Sequence, residues 1–213
     1  MDLELEDFLA KLYRSGRDHD AARADRLERL RNLEPETARL LGVLARGLGA
    51  KRLLELGTSN GYSTIWLADA AKDSDGALTS VEIDSTRMAE ANQNLRSVDL
   101  EAFATLRLED AGACLARSAD ASWDLIFLDA ERSAYVSYWP DLVRTLSAGG
   151  VLVVDNVISH ADEVAELREL IDGDSRVMHV LVPIGAGALL VVKHPQRGMV
   201  RFPGRSTAGR PDP

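Results

Sequence analysis

Two short stretches of this chain end in residues that do chemistry. "FLDA" closes an apolar run on Asp129, and "VVDN" closes another on Asp155 and Asn156. Packing does not require two acids and an amide at the ends of apolar strands. Three oxygen donors on a short arc suit a hard divalent cation, with water or substrate completing its shell. The same residues could instead cap the helices that follow them, a role Asp and Asn commonly fill. Arg132 stands three residues after Asp129, and a guanidinium stays protonated at any working pH, so it cannot take up a proton. No cluster of Cys and His accompanies these positions, which counts against zinc.

A second group of residues points to a nucleoside. In "LLELGTSNGYST", Gly57 and Gly61 bracket a loop that leads into a helix starting near Tyr62. Glycines let a ligand approach the backbone closely, and the free N–H groups of the helix favour an anionic group. Ser59 holds the place of the second glycine in G-x-G-x-x-G, so a pyrophosphate is less welcome, and a dinucleotide with it. The next apolar run ends "VEID", with Glu82 and Asp84 at its exit. An acid about 20 residues beyond a glycine loop can accept both hydroxyls of a ribose. Asp110 and Ala111 follow the third run at the same edge, where an adenine could be bracketed. A salt bridge or cap for Glu82 and an N-cap for Asp110 are the structural alternatives.

These residues sit where they do because of the elements between them. Apolar runs at "KRLLELG", "ALTSVEID", "ATLRLED", "WDLIFLD" and "GVLVVDN" alternate with helical stretches "YSTIWLADAAK", "STRMAEANQNLRSVDL", "AGACLARSA" and "AYVSYWPDLVRTLSAGG". Such alternation predicts an α/β fold with a parallel sheet covered on both faces. One more helix is expected over 161–172. "RVMHVLVPI" and "GALLVVKH", joined at "GAG", then predict a hairpin and an antiparallel last strand. Ahead of the first strand the pattern is helical. Leu3, Leu5, Phe8, Leu9 and Leu12 recur at helical spacing, and so do Leu27, Leu30 and Leu33. The charged "RSGRDHDAARADR" between them predicts a turn followed by a solvated helix face. Pro35 opens the next helix, "PETARLLGVLARGLG", which ends at glycine.

The expected organisation is a single domain over residues 1–194, with N-terminal helices at 1–48 and the core at 49–194. Residues 195–213, rich in Pro, Gly and Arg and without periodicity, predict a mobile or loosely docked extension. The 213 residues, 46% hydrophobic and 28% charged, fit one domain with a sizeable core. A formal net charge of −9 argues against nucleic acid as a partner. There is no basic stretch followed by an apolar one at the N-terminus, and no apolar run long enough to span a bilayer, so no membrane association is expected. Cys114 is the one cysteine, set among small and apolar residues. It can form no intrachain disulfide and points to a reducing, cytoplasmic compartment.

In combination, "ELGTSNGYS", "VEID", "EDA", "FLDA" and "VVDN" resemble the class I S-adenosylmethionine-dependent methyltransferases. More narrowly, they resemble the small cation-dependent O-methyltransferases that include catechol and caffeoyl-CoA O-methyltransferases. The resemblance covers roughly residues 35–193. It implies a Rossmann-like, mostly parallel seven-stranded sheet, with the strand order reversing between the first and fourth strands. It implies Glu82 on the ribose hydroxyls and Asp110 with Ala111 near the adenine. Glu55, the Gly57–Gly61 loop and Ser63 would surround the methionine portion. Asp129, Asp155 and Asn156 would be metal ligands, with Asp129 also beside the cofactor and the reacting groups. The implied ion is magnesium, with calcium or manganese also suitable. The implied reaction is in-line transfer of a methyl group from a sulfonium to a hydroxyl of a small dihydroxylated aromatic, and a homodimer is common among such proteins.

Arg132 is a departure, because these relatives carry a lysine there that is credited as the general base. Three readings follow. A cation alone acidifies the hydroxyl and Arg132 steadies the phenolate; or Tyr135 or His160 takes the proton; or Arg132 grips an acidic substituent of the substrate. The rival functions are a nicotinamide-dependent oxidoreductase and a cofactor-binding regulator without turnover.

Overall fold

A computed structural model describes residues 2–25 and 28–195. Leu27 and the extension after Pro195 lie outside the described residues. The elements run α1 (Leu3–Ala21), α2 (Pro35–Gly47), β1 (Arg52–Leu56), α3 (Tyr62–Asp73), β2 (Ala77–Glu82), α4 (Ser85–Arg96) and β3 (Ala104–Leu108). They continue as α5 (Ala111–Arg117), β4 (Trp123–Leu128), α6 (Tyr135–Thr145), β5 (Leu146–Val154), α7 (Ala165–Asp172), β6 (Val177–Val182) and β7 (Ala188–Lys193). The strands form one seven-stranded sheet in the order β3-β2-β1-β4-β5-β7-β6. Neighbours from β3 to β5 are parallel, while β7 is antiparallel to both β5 and β6. The α/β class, the antiparallel last strand and the reversal between β1 and β4 are therefore as the alternation of runs predicts.

Alternate residues of the central strands feed two cores, one on each face. Leu53, Leu125, Phe127 and Val153 join α1, α2 and α3 on one side. Leu54, Leu56, Ile126, Leu128 and Val154 join α5, α6 and α7 on the other, together with the buried Cys114. Leu53, Leu54 and Leu56 are fully buried, which is why the run shows no polar alternation. Among the described residues no helix is long and apolar enough to cross a membrane.

Four local expectations are corrected. The turn expected at the start of "RSGRDHDAARADR" comes at its end, from Ala22: α1 first continues to Ala21, since a run of charges is compatible with a solvated helix face. The helix expected around Leu30 and Leu33 does not form, and residues 29–34 have no regular structure. Their backbone is claimed from elsewhere. Asp20 accepts from Leu30 N at 2.7 Å and Arg31 N at 2.8 Å, and Ser59 Oγ donates to Leu30 O at 2.8 Å. Leu33 is buried, so the segment becomes a strap pinned against the core. Finally, "LSAGG" belongs to β5 and not to α6, with a register shift opposite Trp123 and Leu125. The last expected helix also begins later, at Ala165, after a series of turns. The N-terminal leucines serve the core: Leu5 and Leu9 are buried, and Leu3 is exposed.

Strand register sets the functional edge. Leu56 pairs with Leu128, and Leu128 with Val154, so Gly57, Asp129 and Asp155 emerge at one level. The ladder extends one step further, with Asp129 N donating to Leu56 O at 3.0 Å and Asp155 N to Leu128 O at 3.2 Å. Gly57 makes this close approach possible. Its φ is 106°, and a methyl group there would collide with the carbonyl of Asp129. Gly57→Ala should therefore cost roughly 2–4 kcal/mol, from backbone strain and overpacking together. Urea unfolding measures this, and an unchanged midpoint would mean that the loop relaxes freely.

Candidate active site

A cavity of about 420 Å³ opens at the carboxyl ends of the strands, over the β1/β4 reversal. This is where open α/β sheets bind ligands. Glu82, Asp110 and Ala111 line one end, and Asp129, Arg132, Asp155 and Asn156 line the other, with Gly57 and Ser63 between them. Glu55 and Gly61 are not among the lining residues. Glu55 is fully buried behind the wall, where its carboxyl accepts from Ser63 Oγ, Thr64 Oγ1 and Ser80 Oγ, each at 2.5 Å. Gly61 acts through its backbone, with φ 87°, as the N-cap of α3, packed closely against Ala91.

At the first end, Glu82 is buried and already organises the loops around it. Its Oε2 accepts from Ser59 N at 2.8 Å, and its Oε1 accepts from Ile83 N and Asp84 N at 2.9 and 3.0 Å. Oε2 has a further lone pair to offer, and the side chain is fixed before any ligand arrives. Asp84 caps α4 through Thr86 N and Arg87 N, and Asp110 caps α5 through Ala113 N. The capping alternative for Asp110 is thus realised, but its side chain still stands on the cavity wall. Ile83, 76% exposed, and Tyr138 also line this end. An apolar side chain, Ala111 and an aromatic ring together suit a flat base.

At the other end two acids confront each other. Burial, then repulsion from Asp129, raises the pKa of Asp155 above the carboxylate range. Burial raises Asp129 as well, while the guanidiniums of Arg31 and Arg132 pull it back. Asn156 Nδ2 bridges the pair, donating to Asp155 Oδ2 at 2.7 Å and to Asp129 Oδ1 at 3.3 Å. Asn156 holds this position with φ 64°, a conformation its side chain tolerates better than most. Asp155 Oδ1 is buried with no hydrogen-bond partner. An orphaned carboxylate oxygen beside a second acid is a donor set that fits a hard cation. Turning the amide over would put its oxygen where its nitrogen now stands. Among the described residues no three His, Cys, Asp or Glu side chains group as a metal cage, so the candidate set is two carboxylates and one amide.

Arg132 is 3% exposed at its side chain and donates through Nε to Glu163 Oε2 at 2.7 Å. Tyr135 is ruled out as a mobile proton acceptor. Its hydroxyl donates to Ala130 O and accepts from Ala130 N, both at 3.1 Å, and burial raises its pKa well above the phenolic value. His160 lines the cavity with Nδ1 2.8 Å from Ser159 Oγ. The sequence reading missed the strap, which contributes Leu30 through Glu34 to the wall, and it missed Ile83 and Tyr138. The one available signal was Asp20, whose carboxylate pairs with amides ten and eleven residues further on.

Comparison with known proteins agrees with this geometry. The O-methyltransferase family model matches residues 21–194. A Mycobacterium tuberculosis protein named as an O-methyltransferase is 34% identical over 172 residues, covering 75% of this chain and 76% of the relative. The crystal structure of an O-methyltransferase of tomaymycin synthesis from Streptomyces achromogenes, in complex with S-adenosylmethionine, aligns with TM-score 0.73 and 27% identity. That alignment covers 88% of this chain and 90% of that one. A Klebsiella pneumoniae structure described as an O-methyltransferase aligns with TM-score 0.74 and 25% identity, over 92% and 91% of the two chains.

The buried Glu55 gives a test of the wall itself. Burial pushes its pKa from 4.5 up to about 7, against the lowering effect of the hydroxyls of Ser63, Ser80 and Thr64. The folded chain therefore keeps a proton that the unfolded chain releases. The stabilisation is complete below the unfolded pKa and is lost as pH rises through the folded one. From pH 5 to 7.5, wild type should lose roughly 1–3 kcal/mol relative to Glu55→Gln, which is neutral throughout. Chemical denaturation across that range decides it, and parallel profiles would show that Glu55 does not hold the proton.

Proposed function

This chain belongs to the O-methyltransferase family, and from that premise we propose how its residues divide the work. It is an O-methyltransferase that uses S-adenosylmethionine. The acceptor in this reading is a small dihydroxylated aromatic, and a divalent cation, magnesium in the first place, assists the transfer. One observation carries the reading: Asp129, Asp155 and Asn156 meet on the same cavity that Glu82 and Asp110 line. A nicotinamide-dependent oxidoreductase is set aside by the family.

Glu82 holds the ribose hydroxyls, with its carboxylate oriented in advance by three backbone N–H groups. Asp110, Ala111, Ile83 and Tyr138 receive the base, and the Gly57–Gly61 loop with Ser63 borders the methionine portion. Asp129, Asp155 and Asn156 hold the cation. When bound, S-adenosylmethionine supplies an electrophilic methyl group, and the cation lowers the pKa of the hydroxyl it chelates. The chain's own contribution is alignment: fixed strand ends hold donor and acceptor at near-attack distance while the cores exclude water. Arg132 adds a permanent positive charge at the acceptor end, held by Glu163, and never accepts a proton.

The two halves of the site should fail separately. Glu82→Gln should weaken S-adenosylhomocysteine binding by roughly 1.5–3 kcal/mol, the value of charge-assisted hydrogen bonds. Glutamine is chosen because alanine would also abandon the three backbone donors. Asp155→Ala should keep that binding but lose cation-dependent turnover of a catechol. Chelation should abolish wild-type turnover, and magnesium should restore it. Full activity in excess chelator would refute the cation, and an unweakened Glu82→Gln would refute the ribose assignment. Cofactor binding without turnover on any acceptor would favour the regulator.

A further inference from the structure

The acceptor end of the cavity contains a guanidinium that is only partly satisfied. Arg132 is 4% exposed, its Nε is committed to Glu163, and its Nη2 is buried with no hydrogen-bond partner. A buried charged donor without an acceptor is costly, and a ligand oxygen that reaches it removes the cost. The fork geometry of guanidinium suits a carboxylate better than a single neutral hydroxyl.

A second arginine reaches the same cavity from the strap. Arg31 has φ 52°, a conformation uncommon for a residue with an ordinary side chain. Three contacts enforce it: the Asp20 carboxylate on the amides of Leu30 and Arg31, and the Ser59 hydroxyl on the carbonyl of Leu30. Its side chain is exposed and lines the cavity. Arg31 and Arg132 line the same cavity as Asp129 and Asp155, so both guanidiniums belong to its acceptor end.

We propose that Arg31 and Arg132 together bind a carboxylate carried by the acceptor, which makes the substrate class hydroxylated aromatic acids. This rests on the O-methyltransferase reading above and narrows it. The competing explanation is that the arginines merely balance the local acids, since Glu34 and Glu131 line the same cavity. Arg132 already balances Glu163 through Nε, and its Nη2 is still left without a partner, a donor that charge balance alone does not explain. Arg31 then acts as a specificity determinant on a segment that the strap contacts hold in place.

Calorimetry on the full chain separates these possibilities. S-adenosylhomocysteine is titrated first, and then 2,3-dihydroxybenzoate or catechol is titrated into the loaded protein in the presence of magnesium. The quantity read is the ratio of the two dissociation constants, in wild type, Arg31→Ala and Arg132→Gln. Wild type should prefer the acid by roughly tenfold or more, as expected for a charge-assisted pair. Arg31→Ala, at an exposed position, should lose most of that preference, and Arg132→Gln should do the same if it folds. Equal affinities in wild type, or a preference unchanged in Arg31→Ala, would overturn the proposal. Failure of S-adenosylhomocysteine to bind would instead overturn the reading beneath it. Cofactor binding with neither aromatic bound would overturn the substrate class alone.

Discussion

Two carboxylates held side by side at one edge of the sheet are the constraint on which the site depends. Asp129 and Asp155 leave adjacent parallel strands at the same level because Leu128 is paired with Val154. Neither can swing away, since each backbone N–H is tied to the neighbouring strand. Like charges so placed repel, the more so because Asp155 is buried and Asp129 half-buried. The Asn156 amide relieves part of the conflict by donating to both, and one oxygen of Asp155 still has no partner. A divalent cation would resolve the remainder, and it would do so where a chelated hydroxyl needs activation.

The rest of the cavity is arranged around that fixed edge. Gly57 lets the β1 loop lie against Asp129, which joins the nucleoside end to the acid pair through backbone contact. Glu82 ties three loop amides together and thereby shapes the opposite end. The strap forms another part of the wall, with its Leu33 in the core and its Arg31 lining the cavity. It is held at Leu30 and Arg31 by side chains from α1 and from the glycine loop. Loss of those few hydrogen bonds would disturb the nucleoside and acceptor ends together.

Much of this was legible in the sequence because strand ends write themselves plainly. Apolar runs that stop on acids mark one edge of a sheet, and the alternation with helices fixes which edges coincide. That is how Glu82, Asp110, Asp129, Asp155 and Asn156 could be named together. The strap was illegible for the opposite reason. Leu30 and Leu33 have helical spacing, yet the backbone of Leu30 and Arg31 is taken by Asp20 and Ser59, partners that helical spacing does not reveal. The "LSAGG" segment reads as the end of the preceding helix but pairs as strand, with Gly149 at φ 77° beside the register shift. Glu55 showed its place at a strand end but not its depth, which three hydroxyls set.

The most direct measurement is the melting temperature of the chain at neutral pH as magnesium or manganese is added, compared with Asp129→Asn and Asp155→Asn. If the acid pair is a cation site, the wild type should gain several degrees as the ion rises above its dissociation constant, because an ion that binds only the folded state stabilises it. Each asparagine variant should melt higher than wild type without the ion, through relief of repulsion, and should respond little to it. A wild type indifferent to both ions at millimolar concentration would contradict the account, and asparagine variants that respond as wild type does would contradict it equally.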